Sequence, residues 1–393
     1  MVTPDVIDEF FIRMKRCTKC ILPETFPGIT FDEQGVCNYC HSHEPIRVFG
    51  EQALRQKLLK YKNLEKTYDC IVPLSGGRDS SYVLYQMVTQ YQMRVLAVTI
   101  DHGFLRPEGI RNVTKAIERL KVDHIWLKNT EKKIQVAKEN CKQKFQGWLK
   151  HPSIHTIVPV LNAGDKTMNL QLFHYAHEHH IPVVVGGNNI GNSIFEQEHW
   201  KTGFLGVFPD ARGYYSLSDR MKLSFLFGME YLKNPMNLSL PIFKEYVTGA
   251  SVYFFESLLK PKDVDTLGFY DYVYWEEQKI VSTIMKELDW QGSKDTTTTW
   301  RADDASYPLI NYMYWKLVGF TEHDELYSKM VREGQVSRTE ALQHCLSDQK
   351  PRLPSLQQMF DEFGVTQEQV DDVLINYRTE FLKQVNPGLL ASV

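Results

Sequence analysis

Apolar and polar positions alternate along this chain in two different rhythms, and the exchange between them begins near residue 69. The runs "DCIVPL" (69–74), "RVLAVTIDHG" (94–103), "DHIWLKN" (123–129) and "IPVVVGGNN" (181–189) are short and mostly apolar, several end in Gly, Asp or Asn, and they predict strands. Their near-continuous apolar character is that of strands covered on both faces. Between them, "SSYVLYQMVTQY" (80–91), "EGIRNVTKAIERLK" (108–121) and "TMNLQLFHYAHEHH" (167–180) space their apolar residues at helical intervals. Strands alternating with helices predict a parallel sheet with helices on both sides, an open doubly wound α/β domain over residues 66–260. Ligands of such sheets bind at the carboxyl ends of the strands, where this chain places its Gly- and Asp-rich turns.

The flanks read differently. "EQALRQKLLKYKNLEKT" (51–67) is charged with apolar residues near helical spacing, and 46–65 is expected to be a linker built on that amphipathic helix. Residues 261–393 are expected to be mostly helical, through "YWEEQKIVSTIMKELDW" (274–290), "YPLINYMYWKLVGF" (307–320), "SRTEALQHC" (337–345), "PSLQQMFDEFG" (354–364) and "TQEQVDDVLINYRTEFLKQV" (366–385). Ser337 followed three residues later by Glu340 forms a capping box. No internal repeat interrupts this order.

At 393 residues, 43% of them hydrophobic, the chain has material for a large core and two or three domains. A net charge of −3 disfavours a non-specific nucleic-acid binder, so nucleic acid is not an expected partner. No apolar run approaches the ~20 residues of a membrane helix, and the first residues lack a signal-peptide core, so no membrane association and a cytoplasmic protein are expected.

Seven cysteines are present, four of them as Cys17-x-x-Cys20 and Cys37-x-x-Cys40, with Cys70, Cys141 and Cys345 single. Two thiolates three residues apart can chelate one ion through a tight turn. The sixteen residues between Cys20 and Cys37 suffice for a ribbon that brings the knuckles together. Four thiolates with no open position describe a closed tetrahedral Zn²⁺ site, a zinc-ribbon module over 13–45. An iron–sulfur cluster is the rival and a disulfide pair the plain alternative. His41 and His43, beside the second knuckle, are read as solvated.

Ser75-Gly76-Gly77-Arg78-Asp79-Ser80-Ser81 lies between the first strand and its helix. The glycines let backbone N–H groups approach an anion, the helix N-terminus adds partial positive charge, and the serine hydroxyls can donate to phosphate oxygens. The spacing is neither that of a Walker A loop nor of a dinucleotide fingerprint. Arg78 is read as a phosphate clamp or a solvated loop side chain. Asp79 is read as orienting the loop or helping to hold Mg²⁺ beside phosphates.

SGGxDS after a first strand resembles the PP-loop of the ATP pyrophosphatases. The combination with "CTKCILPETFPGITFDEQGVCNYC", "AVTIDHGF", "VVVGGNN" and "TTTTWRADDASYPLINYMYWKLVGF…YSKMVREGQVSRTEAL" (296–342) resembles the N-acetyl sugar amidotransferases of bacterial surface-polysaccharide and nonulosonic-acid pathways. The likeness covers about 15–345. It implies a fold of the adenine nucleotide alpha hydrolase-like type. It also implies ATP and Mg²⁺ as cofactors and conversion of a sugar acetamido group to acetamidino, with release of AMP and pyrophosphate. The substrate would be an N-acetylated sugar, nucleotide-activated or acidic. A separate glutaminase subunit is the implied partner, because the chain shows no ammonia-producing half.

The resemblance makes Ser75, Gly76, Gly77, Arg78, Asp79, Ser80 and Ser81 nucleotide-binding candidates. Thr99 and Asp101, at the end of the second strand, join them as adenosine contacts, a plain turn Asp being the rival for Asp101. Gly186, Gly187, Asn188 and Asn189 could receive a ligand close to the backbone, or form an ordinary turn. Arg301, Asp303 and Asp304 are candidates from the downstream segment. Arg301 is either a bidentate clamp for a carboxylate or phosphate, or a structural partner of an Asp. Asp79, Arg301 and Asp303 are the expected catalytic set. Glu196 and Glu198 could hold metal or sugar hydroxyls, and Tyr312, Tyr314 and Trp315 are read as core. The alternative enzyme is a PP-loop tRNA thiolase, for which Cys141 in a lysine-rich stretch would carry sulfur. A zinc-ribbon adaptor would leave the phosphate loop unexplained.

Overall fold

In the computed structural model, residues 14–26, 28–62, 65–101, 103–128, 131–161, 165–187 and 260–385 are described, with 225, 228, 229, 232 and 233. Five strands form one parallel sheet: β1 (Cys70–Pro73), β2 (Val95–Asp101), β3 (Asp123–Lys128), β4 (Val183–Gly186) and β5 (Asp265–Gly268), in the order β3-β2-β1-β4-β5. β1 pairs with β2 on one side (Val72 opposite Ala97) and with β4 on the other (Ile71 opposite Val184). The chain therefore reverses its direction of travel across the sheet at β1, the topological switch point.

Period-2 side chains divide the core between the two faces of the sheet. Cys70, Val72, Val95, Ala97, Val183 and Val185 join one buried cluster, whereas Ile71, Leu96, Val98 and Val184 join the other. The first is covered by α1 (Glu51–Leu59), α2 (Arg78–Thr89), α3 (Pro107–Leu120) and, further along the chain, α6 (Glu277–Leu288). The second is covered by α5 (Asp165–Glu178), through Leu172, Phe173 and Ala176. The doubly wound class expected from the apolar rhythm is the class observed.

A further core lies outside the sheet. It joins the cysteine module to α4 (Glu131–Lys150), α7 (Tyr307–Val318), α10 (Leu353–Phe363) and α11 (Gln367–Val385). α8 (Glu322–Arg332) and α9 (Arg338–Asp348) complete the helical region, each opened by a capping box, Thr321/Asp324 and Ser337/Glu340. Tyr312 and Tyr314 are buried there, as core residues.

Three elements depart from the sequence pattern. The helix expected over 51–67 ends at Leu59, because Tyr61 turns inward and donates its hydroxyl to Asp265 Oδ2 at 2.8 Å beside β5. β5 was not apparent in the pattern, since only Leu267 of its four residues is buried. α8, also unpredicted, buries Glu322, His323, Asp324 and Glu325. These charges are tolerated because each acid is met. Trp300 Nε1 and Asn311 Nδ2 donate to Glu322 at 2.5 and 2.7 Å, Arg16 to Asp324 at 2.5 Å, and Lys329 lies 3.2 Å from Glu325.

Candidate active site and cysteine cluster

The loop that leaves β1 sits at the carboxyl end of the sheet's switch point, with Gly77 as N-cap of α2 and no side chain capping that helix. Gly76 has φ +84°, and a Cβ there would lie 2.1 Å from the Gly109 carbonyl oxygen of α3. That carbon-free contact brings the first turn of α3 onto the loop. The Gly76 carbonyl accepts from Asn112 Nδ2 at 3.1 Å and Trp290 Nε1 at 2.9 Å. Trp290 is delivered by the end of α6, where Arg111 of α3 grips Asp289 through both its carbonyl and carboxylate at 2.8 Å. Within the loop, the Ser75 and Ser80 hydroxyls are 3.1 Å apart, and the Gly77 N–H donates to Ser75 Oγ at 3.3 Å.

The downstream region forms the other wall. Residues 104–106, after β2, pair with 303–305: the Arg106 N–H donates to the Asp303 carbonyl and the Ala305 N–H to that of Phe104, both at 2.9 Å. This clamp lays the Asp303 side chain on the loop. A Cβ on Gly77 would meet Asp303 Oδ2 at 2.9 Å, and one on Gly109 would meet Asp303 Cβ at 2.9 Å. Burial pushes the Asp303 carboxyl above the usual range, against the opposing effects of Ser75 and Arg301, which favour its charged form.

The predicted residues therefore separate into two groups. Ser75, Gly77, Asp79, Ser80 and Asp303 retain surface and gather around the loop. Arg78, read as a clamp or a solvated side chain, is neither. It is 3% exposed, stacked between Trp275 and Trp300 with its guanidinium 4.9 and 4.4 Å from the rings, paired with Glu277, and bonded to Thr299 Oγ1 at 2.8 Å. It ties the helical region to the first turn of α2. Asp79 is held from the same side, its Oδ1 accepting from Trp275 Nε1 at 2.8 Å.

Ser81 and Thr99 are enclosed. The Thr99 hydroxyl donates to the Leu74 carbonyl at 2.6 Å and accepts from His124 Nε2 at 2.9 Å, so it locks β2 to the end of β1 rather than facing a nucleoside. Asp101 accepts from the Gly103 N–H at 2.9 Å, the geometry of a turn-forming Asp. Gly186 ends β4, and a Cβ on Gly187 would meet the Asp79 backbone at 3.3 Å. Asn188, Asn189, Glu196 and Glu198 lie outside the described residues. Arg301, at φ +50°, stacks on Trp300 and Tyr307, and its Nε lies 3.5 Å from the buried Glu322. The acid beside it is thus Glu322 rather than a neighbouring Asp. Trp275, Trp290, Trp300 and Asn112 escaped sequence reasoning, because nothing local marks a side chain that serves a loop elsewhere in the chain.

The four clustered cysteines are all buried, with Cys17 Sγ–Cys40 Sγ and Cys20 Sγ–Cys37 Sγ each 3.8 Å and all four sulfurs within 4.8 Å of one another. A single tetrahedral ion with bonds of about 2.3 Å requires sulfur–sulfur edges of about 3.8 Å. Thiolates on four separate irons of a cubane stand wider apart. The set therefore fits one ion. Arg338 Nε of α9 donates to the carbonyls of Cys17 and Cys20 at 3.0 and 2.9 Å, which seats the knuckle on the helical region. His41 is exposed and pairs with Asp32 at 2.7 Å. His43 instead pairs with the largely buried Glu333 at 2.8 Å. Cys70, Cys141 and Cys345 are fully buried, so none of the seven thiols is at the surface.

Sheet order, switch point and glycine loop together define a doubly wound α/β protein with a glycine-rich loop at its switch point, an N-terminal four-cysteine cluster that could hold a metal ion, and a helical carboxyl-terminal region. Among solved structures, it is similar to the U34-tRNA thiolase NcsA from Methanococcus maripaludis with its [4Fe-4S] cluster, at 13% identity and TM-score 0.31, over 84% of this chain and 89% of that one. It is also similar to NMN synthetase from Francisella tularensis, at 15% identity and TM-score 0.26, over 53% of this chain and 96% of that one. No family model matches the chain, and no curated protein does. Among the described residues, no helix is long and apolar enough to cross a membrane.

Proposed function

We propose that this protein is an ATP-dependent amidotransferase that converts the acetamido group of a sugar to an acetamidino group. The observation that carries the reading is a convergence. The three stretches on which the sequence resemblance rests are the cysteine module, the SGGRDS loop and residues 296–342, and the last of these touches both of the others. Thr299 and Trp300 hold Arg78 of the loop, Asp303 lies on Gly77, and Arg338 binds the knuckle of Cys17 and Cys20.

An amide carbon is a poor electrophile because resonance donates nitrogen density into it. The amide oxygen attacks the α-phosphorus of ATP and pyrophosphate leaves. Ammonia adds to the activated carbon, a proton is lost, and AMP departs with the former amide oxygen, leaving C=NH. The loop's part is to position phosphates through Ser75, Ser80 and the start of α2, with Mg²⁺ offsetting their charge. Zn²⁺ on Cys17, Cys20, Cys37 and Cys40 is structural, since the ligand set is closed. Ammonia comes from a separate glutaminase subunit.

Burial of all seven thiols favours amide activation over a thiolase that carries sulfur on Cys141, because a sulfur carrier must be an accessible thiolate. The deciding experiment incubates the protein with ATP, Mg²⁺, ammonium and a panel of N-acetylated sugars bearing ¹⁸O in the amide. The expected products are a sugar lighter by the difference between ¹⁸O and NH, and AMP carrying the label. Glutamine should not replace ammonium for the purified chain. Unlabelled AMP, or a thiolated nucleoside from added tRNA, would refute the assignment.

A further inference from the structure

We infer that Asp303, rather than the loop's own Asp79, is the carboxylate that holds Mg²⁺ at the phosphate loop, and that the site accepts nucleotide as its magnesium complex. The inference rests on the nucleotide reading above and assigns the metal-holding role within it.

Two acids stand at the loop. Asp79 is already engaged through Trp275 Nε1 at 2.8 Å on Oδ1 and lies 3.6 Å from Arg78 Nε through Oδ2. Asp303 comes from the downstream segment, and its carboxylate fills the space a Gly77 Cβ would take. Both its oxygens and its carbon fall within 3.1 Å of where a Cβ would stand. The approach is built into the backbone, since Gly77 and Gly109 both lack side chains where Asp303 lies and the pairing of 104–106 with 303–305 fixes its main chain.

A carboxylate so placed repels a bare polyphosphate. A divalent cation between the two reverses the sign, and Mg²⁺ commonly binds through one or two protein carboxylates plus substrate phosphates. Asp304 does not share the role, as its Oδ1 accepts from the Ser306 N–H at 2.7 Å and Oγ at 2.6 Å.

The test is calorimetric titration of the full chain with inorganic pyrophosphate and with ATP, with and without Mg²⁺, in chelator-free buffer so that the cysteine cluster keeps its ion. In the native protein Mg²⁺ should tighten binding at least about tenfold, the scale of one close charge in a partly solvated site. In Asp303→Asn the tightening should vanish and bare pyrophosphate should bind better than to the native chain. Asp304→Asn should keep the tightening. Should Asp303→Asn lose cooperative unfolding, Asp303→Ser is titrated in its place. Undiminished Mg²⁺ dependence in the Asp303 variant overturns the inference. Equal gains with and without Mg²⁺ overturn it too, and make the carboxylate a simple plug. A native chain that binds neither ligand refutes the nucleotide reading itself, and the metal assignment with it.

Discussion

Gly76 and Gly77 are neighbours required for different reasons. Gly76 has a left-handed backbone, and its missing Cβ faces the main-chain oxygen of Gly109, which cannot move without moving α3. Gly77 has φ −70°, open to any residue, and its missing Cβ faces only the Asp303 side chain. Gly76→Ala should therefore cost more than about 3 kcal/mol in denaturant unfolding, whereas Gly77→Ala should cost about 1 kcal/mol yet weaken binding of the Mg²⁺–pyrophosphate complex by displacing Asp303. The sequence marked both glycines as places where a phosphate approaches, and it is the contact partner that tells them apart. Asp271 shows a second residue-level effect. Burial, opposed by Lys57, raises its carboxyl to about 6, and its Oδ1 has no hydrogen-bond partner. The folded state then binds a proton more tightly than the unfolded one, so this group lowers stability as pH rises from about 4 to about 6, and the loss persists above. Asp271→Asn should gain about 1 kcal/mol at pH 7.5, a value discounted for partial solvation, and about a third of that at pH 4.5, as read from denaturation midpoints at the two pH values.

At the scale of elements, the cysteine module is stitched to α8 and α9. The Arg16 guanidinium reaches the buried Asp324, the Ile21 N–H donates to Ser328 Oγ at 3.3 Å, and Arg338 spans two knuckle carbonyls. A partner that orients ligand-bearing backbone affects metal retention without touching the metal. Arg338→Ala should speed release of Zn²⁺ to a chromogenic chelator by about tenfold and lower the melting temperature by a few degrees. Cys17→Ser should abolish stoichiometric zinc outright, whereas Cys141→Ser, deep in α4, should leave metal content at one ion per chain. CxxC spacing marked the four cysteines that cluster, but the helices they rest on could be found only in the folded chain.

At the scale of the whole molecule, the helical region completes the sheet domain. β5 comes from residues 265–268, and Trp275, Trp290 and Trp300 all bear on residues 76–79. A fragment ending at residue 260 would lack the edge strand and expose Arg78 and the Gly76 carbonyl. It should show no cooperative thermal transition by circular dichroism, while the full chain shows one. A fragment that melted cooperatively and bound ATP would mean that the loop is self-sufficient.

Most of the scaffold was legible in the sequence. β1, β2 and β4 are continuous apolar runs because both of their faces are covered, and α9 announced itself through Ser337 and Glu340. The loop and the cysteine pairs could be read because their chemistry depends on spacing within a few residues. Two elements could not be read that way. β5 buries a single side chain, and α8 buries charges whose partners, Arg16, Trp300 and Asn311, come from other elements. Nor could the stacking of Arg78 between two tryptophans, the enclosure of Thr99, or the placement of Asp303 on Gly77. Periodicity records which face of an element is apolar and which turn is permitted. Tertiary packing alone decides which distant side chain satisfies a buried charge or fills the space a glycine leaves, because those energies exist only once the partners meet.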